Sequence, residues 1–137
     1  MSDADPPQVH RGACTPVSVA GVRLVEGPPG TPLLARAADA DRVLEACFAS
    51  GARAALLYAE NLPPAFFDLS SGEAGAVLQR LRNYGVRLAV VAPPGAVRPS
   101  RHFGDMAGEE RRRGHLALCD TADAARAWLA GGEPGRR

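Results

Sequence analysis

The chain has 137 residues, 46% of them hydrophobic and 23% charged, which fits one globular domain and excludes wholesale disorder. Its formal net charge is +1, so the charge balance points to neither a nucleic-acid nor a membrane partner. All sixteen basic residues are arginine, which removes Schiff-base and phosphate-loop lysine chemistry.

The N-terminus reads Met-Ser-Asp-Ala-Asp-Pro-Pro, acidic and polar, without the basic start and apolar core of a secretory signal. No run reaches the about 18 apolar residues of a spanning helix, so a cytoplasmic protein is expected. The three cysteines, Cys14, Cys47 and Cys119, show no Cys-x-x-Cys spacing, which argues against a disulfide scaffold and against zinc. Cys47 and Cys119 fall in apolar segments and read as core residues, whereas Cys14 reads as an exposed thiol.

Residues 1–15 carry charges and prolines without periodicity and are predicted to form a flexible tail. Residues 17–25, rich in β-branched side chains, read as one strand, broken by Gly27-Pro-Pro-Gly-Thr-Pro32. A short strand is predicted at 33–35. Asp39 is expected to cap a helix with Val43, Leu44, Cys47 and Phe48 inward, stopped by Gly51. Residues 53–58 follow as a buried strand.

The strongest helix is predicted at 71–84, where Ala74, Val77, Leu78 and Leu81 form an i, i+3, i+4, i+7 stripe. The apolar run at 86–91 has the pattern of a strand covered on both faces. After a Pro/Gly loop at 93–100, Phe103, Met106 and Ala107 predict a short helix weakened by Gly104 and Gly108. A last strand at 115–119 precedes a helix capped by Thr121, with Ala124, Ala125, Trp128 and Leu129 inward. Alternating strands and helices of these lengths imply an α/β domain over 16–131, with a mostly parallel sheet of four to five strands and about four helices. Residues 132–137 are expected to be a second tail.

The loop at 27–32 lacks the Gly-Lys-Ser/Thr continuation of a phosphate loop and reads as a turn. The histidines His10, His102 and His115 have no metal-ligand spacing, so no metal or cofactor is expected. Arg111, Arg112 and Arg113, with Arg98 and Arg101 upstream, read either as a solvated helix end or as an anchor for an acidic group.

The densest polar segment runs from Glu60 and Asn61 through Phe66, Phe67, Asp68, Ser70 and Ser71 to Gly72 and Glu73. It links a buried strand to the start of the strongest helix. Loops at the carboxyl ends of parallel strands are where ligands bind, and a helix start offers free amides and a positive dipole end. The plainer reading is a capping box formed by Ser70 and Glu73, with Phe66 and Phe67 filling the core edge.

Phe67-Asp68-Leu69-Ser70-Ser71-Gly72, followed by an amphipathic helix, Gly85 and an apolar strand, resembles the phosphorylation segment of STAS domains in bacterial anti-sigma factor antagonists. There an Asp-Ser-Ser/Thr-Gly motif starts the helix, and a partner kinase phosphorylates the hydroxyl before the glycine. The resemblance implies that Ser71 is that hydroxyl, although Leu69 separates Asp68 from Ser70. A closer resemblance is to bacterial domain-of-unknown-function family 4180. It is carried by Asn61-Leu62, Phe66-Phe67-Asp68-Leu69, Ser71-Gly72, Ala74-Gly75, Leu78-Gln79 and Asn83-Tyr84. Where that family has Gly-Asp after the following strand, this chain has Ala92-Pro93. Membership implies a STAS-like fold and no assigned activity.

The resulting expectation is a regulatory protein-interaction module. Its docking or phosphorylation site is at 68–73, formed by Asp68, Ser70, Ser71 and Gly72, and its unidentified protein partner is kinase-like. The alternative is a small enzyme or ligand-binding protein whose polar pocket is lined by Tyr58, Glu60, Asn61, Asp68 and Ser71. A third option is that these residues only shape the loop and that function lies in a homodimer or partner surface elsewhere.

Overall fold

The computed structural model describes residues 13–131. Five strands form one sheet in the order β1-β2-β3-β4-β5, with β1 Thr15–Val19, β2 Val22–Glu26, β3 Ala54–Tyr58, β4 Arg87–Val91 and β5 Leu116–Cys119. β1 and β2 are antiparallel, and β2 through β5 are parallel. Four helices accompany them: α1 Asp41–Ser50, α2 Glu73–Asn83, α3 Arg101–Arg113 and α4 Ala122–Gly131. The mixed α/β class, the largely parallel sheet and the four helices match the expectation.

Stepping one way across a sheet with crossovers of a single hand puts every crossover helix on one face. Accordingly Val43, Leu44 and Cys47 of α1, Ala74, Val77, Leu78 and Leu81 of α2, and Phe103 and Ala107 of α3 share a core with Ala55, Leu57, Leu88 and Val90. The alternate strand residues Ala54, Leu56, Ala89 and Val91 point to the other face, where Ala125 and Leu129 of α4 cover them. Burial on both faces is why β3 and β4 read as unbroken apolar runs.

The expected single strand at 17–25 is instead a hairpin, turned at Ala20 (φ 52°) and Gly21 (φ 82°). Two consecutive positive φ values match the twist of the paired strands, so a tight turn fits inside an otherwise continuous β-branched run. Residues 33–35 are not a strand. The Leu33 and Leu34 amides instead donate to the Asn61 carbonyl at 3.1 and 2.7 Å, which pins both buried leucines as a loop. Thr15 and Cys14, expected in the tail, belong to β1 and its approach, and Cys14 packs against the core. The other residues of both expected tails lie outside the described residues, apart from Ala13.

Asp39 does not cap α1. Its carboxylate accepts from the Ala35 and Arg36 amides (2.9 and 3.3 Å), closing a short 3-10 turn at Ala37–Ala40, and α1 begins only at Asp41. Those amide bonds, the Ala35 one foremost, lower its carboxyl pKa. Phe48, expected inward, is 61% exposed and stacks edge-on against Tyr84, itself 56% exposed, at 5.4 Å. The short helix expected near Phe103 is 13 residues long, because Ser100 caps it and Phe103 anchors it. Thr121 caps α4 through the Ala124 amide at 3.0 Å, while Ala124 itself is exposed. Among the described residues, no helix is long and apolar enough to cross a membrane.

Candidate functional site

β3 delivers the polar segment to the carboxyl edge of the sheet, where the chain passes through three short 3-10 turns, Ala59–Asn61, Pro64–Phe67 and Leu69–Ser71, into α2. Asn61, expected to contact a ligand, is fully buried. Its Oδ1 accepts from the Tyr58 amide (2.6 Å), and its Nδ2 donates to the Pro28 and Thr31 carbonyls, both at 2.7 Å. Gly27 passes so close that a Cβ there would collide with the Asn61 amide and come within 3.0 Å of Leu57 Cδ2. Asn61 is therefore the pin around which the 27–34 loop folds. The Gly/Pro-rich stretch is a turn, as its sequence implies.

At the start of α2, Ser70, Ser71 and Gly72 are all exposed. The Ser71 hydroxyl donates to the Ala65 carbonyl (2.6 Å) and accepts from the Glu73 amide (3.1 Å). Asp68 turns back on its own loop, accepting from the Ser70 amide (3.1 Å) and the Ser70 hydroxyl (2.8 Å). Gly72, at φ 81°, makes the left-handed step into the helix. The expected capping box between Ser70 and Glu73 is absent. Ser70 is taken by Asp68, and the Glu73 carboxylate reaches the Ala37 amide at 2.7 Å, tying α2 to the turn before α1. Ser71 instead supplies the acceptor for the first helical amide, one of the donors that a helix start leaves unsatisfied.

Phe66 and Phe67 are buried and form an edge-to-face triangle with Phe103, with centroids 5.2, 5.7 and 5.5 Å apart. Above Phe67 lies a cleft of about 690 Å³ lined by the loops that follow β2, β3 and β4, including Leu34, Glu60, Leu62, Phe67, Val97 and Arg98. Glu60 lines this cleft, and its Oε2 accepts from the Gly30 amide at 2.8 Å. Tyr58, Asn61, Asp68 and Ser71 are not among its lining residues, so the five polar residues expected to share one pocket are dispersed: Glu60 at the cleft, Asn61 in the interior, Tyr58 against the opposite core, and Asp68 and Ser71 at the exposed start of α2.

Ser100 joins the cleft wall at Phe67 to the approach to α2. Its hydroxyl accepts from the Leu69 amide (3.2 Å) and the Phe103 amide (3.1 Å), and its own amide donates to the Phe67 carbonyl (2.9 Å). A serine just before an apolar-anchored helix is an N-cap signal, which was the available clue.

The arginines expected to form one patch are divided by α3. Arg98 and Arg101 lie at its start and Arg111–Arg113 at its end, about 18 Å away along the axis. Arg112 and Arg113 pair with Glu109 at 2.7 and 3.3 Å, which is the solvated helix end. His115 Nδ1 lies 2.8 Å from the buried Glu110, which also pairs with Arg82 at 3.1 Å, while His102 is exposed. Burial pushes the thiol pKa of Cys47 up to about 11, and burial together with Cys47 does the same for Cys14. Cys14 is therefore not the exposed thiol expected from sequence. Among the described residues, no group of three or more His, Cys, Asp or Glu side chains could hold a metal ion.

Comparison with curated proteins and with solved structures finds no match. A family model does match, over residues 19–129, which takes in every strand of the parallel sheet and the whole segment from β3 to α2. The chain belongs to the domain of unknown function family DUF4180.

Proposed function

We propose that the protein is a STAS-like regulatory interaction module that docks a protein partner through the exposed start of α2, with Ser71 as its phosphorylation switch. The observation that carries this reading is the position of Ser71: an exposed hydroxyl at a helix start, at the end of the loop that leaves a central parallel strand. Phosphate there would remove the hydroxyl proton that Ser71 donates to the Ala65 carbonyl, loosening the turn ahead of the helix. The added charge would face the positive end of the α2 dipole. Glu73 opposes that charge less than its proximity in sequence suggests, because its carboxylate is held on the Ala37 amide. Asp68 remains close and opposes it, so the modified segment would rearrange, which is what a binding switch requires.

The test is to recover the protein from cells that express it natively, map phosphate by mass spectrometry, and compare the partners retained by Ser71→Ala and Ser71→Glu. Phosphate on Ser71 and a partner held by only one variant are expected. Unmodified Ser71 together with identical partner sets for both variants would end the switch reading.

The pocket reading receives separate support from the cleft beside Glu60, since such crevices at strand carboxyl ends are ordinary ligand sites. It does not extend to an acid–base pair of Glu60 and Asp68, because Asp68 is not a lining residue.

A further inference from the structure

Three loops that follow adjacent parallel strands meet at the cleft: 27–35 after β2, 59–67 after β3 and 92–100 after β4. Its volume of about 690 Å³ is that of a small-molecule site. The walls are mainly apolar, from Leu34, Leu62, Phe67 and Val97, and they carry two charges of opposite sign. Glu60 has one carboxylate oxygen anchored on the Gly30 amide, which draws its charge to the β2 side. Arg98 belongs to the loop after β4 and is exposed. It makes no hydrogen bond or ion pair among the described residues. The cleft is thus an apolar floor with a negative pole on one side and an unpaired positive pole on the other.

We infer that this cleft binds a short free apolar peptide, laid across the loops with its ammonium at Glu60 and its carboxylate at Arg98. The apolar side chains lie on Leu34, Leu62, Phe67 and Val97, where burial supplies most of the affinity. A ligand suited to the cleft carries both charges on an apolar body, as a short free apolar peptide does. A protein chain end brings one, and a simple carboxylate would satisfy Arg98 while facing Glu60 with like charge. The inference concerns a surface next to the start of α2 and does not rest on partner docking there.

The experiment titrates trileucine, its N-acetyl form and its C-terminal amide into the full chain. Calorimetry reads affinity, and amide chemical-shift mapping locates the site. Glu60→Gln and Arg98→Gln are compared with wild type. Both positions are exposed, and glutamine keeps an acceptor for the Gly30 amide, so the fold is retained. Wild type should bind trileucine saturably, with shifts confined to the three loops, and blocking either end should weaken binding about tenfold. Glu60→Gln should lose discrimination against the acetyl form only, and Arg98→Gln against the amide only. Equal binding of all three peptides, variants that discriminate as wild type does, shifts outside the loops, or absence of saturation would each overturn the inference.

Discussion

Asn61 shows how much one side chain can organise. Its amide bridges β3 to the 27–34 loop with three hydrogen bonds from a fully buried position, and Gly27 leaves the space it occupies. Truncation to alanine removes the side-chain partner of one backbone amide and two carbonyls. Asn61→Ala should therefore lower stability by about 3 kcal/mol in urea unfolding, toward the upper end for buried unsatisfied groups. A loss under about 1 kcal/mol would mean that the loops are held by other contacts. Gly27→Ala should act in the same direction by displacing the Asn61 amide. In the sequence Asn61 stands out only as a polar residue after a strand, which is equally the pattern of a ligand contact. Burial separates the two cases, and burial is set by a loop some 30 residues away.

At the scale of elements, amphipathic periodicity was sufficient where the helix face is simple. The α2 stripe of Ala74, Val77, Leu78 and Leu81 is buried as its spacing predicts. It was insufficient for α3, whose length depends on Ser100 at one end and on Phe103 packing into an aromatic triangle. Gly104 and Gly108 are tolerated there because those anchors offset their low propensity. An added Cβ at either position meets nothing within 4 Å. Gly104→Ala and Gly108→Ala should each raise stability by about 1 kcal/mol, read as a higher urea midpoint with unchanged slope. A destabilisation would show that close approach of an unseen neighbour, and not tolerance, explains the glycines.

For the whole molecule, the sheet order predicts a gradient of stability. β3 and β4 are central and covered on both faces, by α1–α3 on one side and α4 on the other. β1 is an edge strand with three exposed residues. Native-state hydrogen exchange should be slowest at Leu56, Leu57, Ala89 and Val90 and fastest among strand amides in β1. Slower exchange in β1 than in β3 would indicate that something else covers that edge. The same architecture places the Ser71 segment and the Glu60–Arg98 cleft at the carboxyl edge of the central strands, joined through Ser100.

The sequence by itself determined the α/β class, the parallel strands, the α2 stripe and the location of the polar segment. Each of these is written in local periodicity or in a strand-to-helix transition, which neighbours along the chain suffice to specify. Tertiary structure decided which polar residues belong together. Asn61 went to the interior, Glu60 to the cleft, and Asp68 and Ser71 to the exposed start of α2, while Arg98 was separated from the arginines at the far end of α3. These assignments depend on loops from β2, β3 and β4 converging at one sheet edge. Such convergence follows from strand order and crossover hand, which leave no mark on the spacing of any single segment.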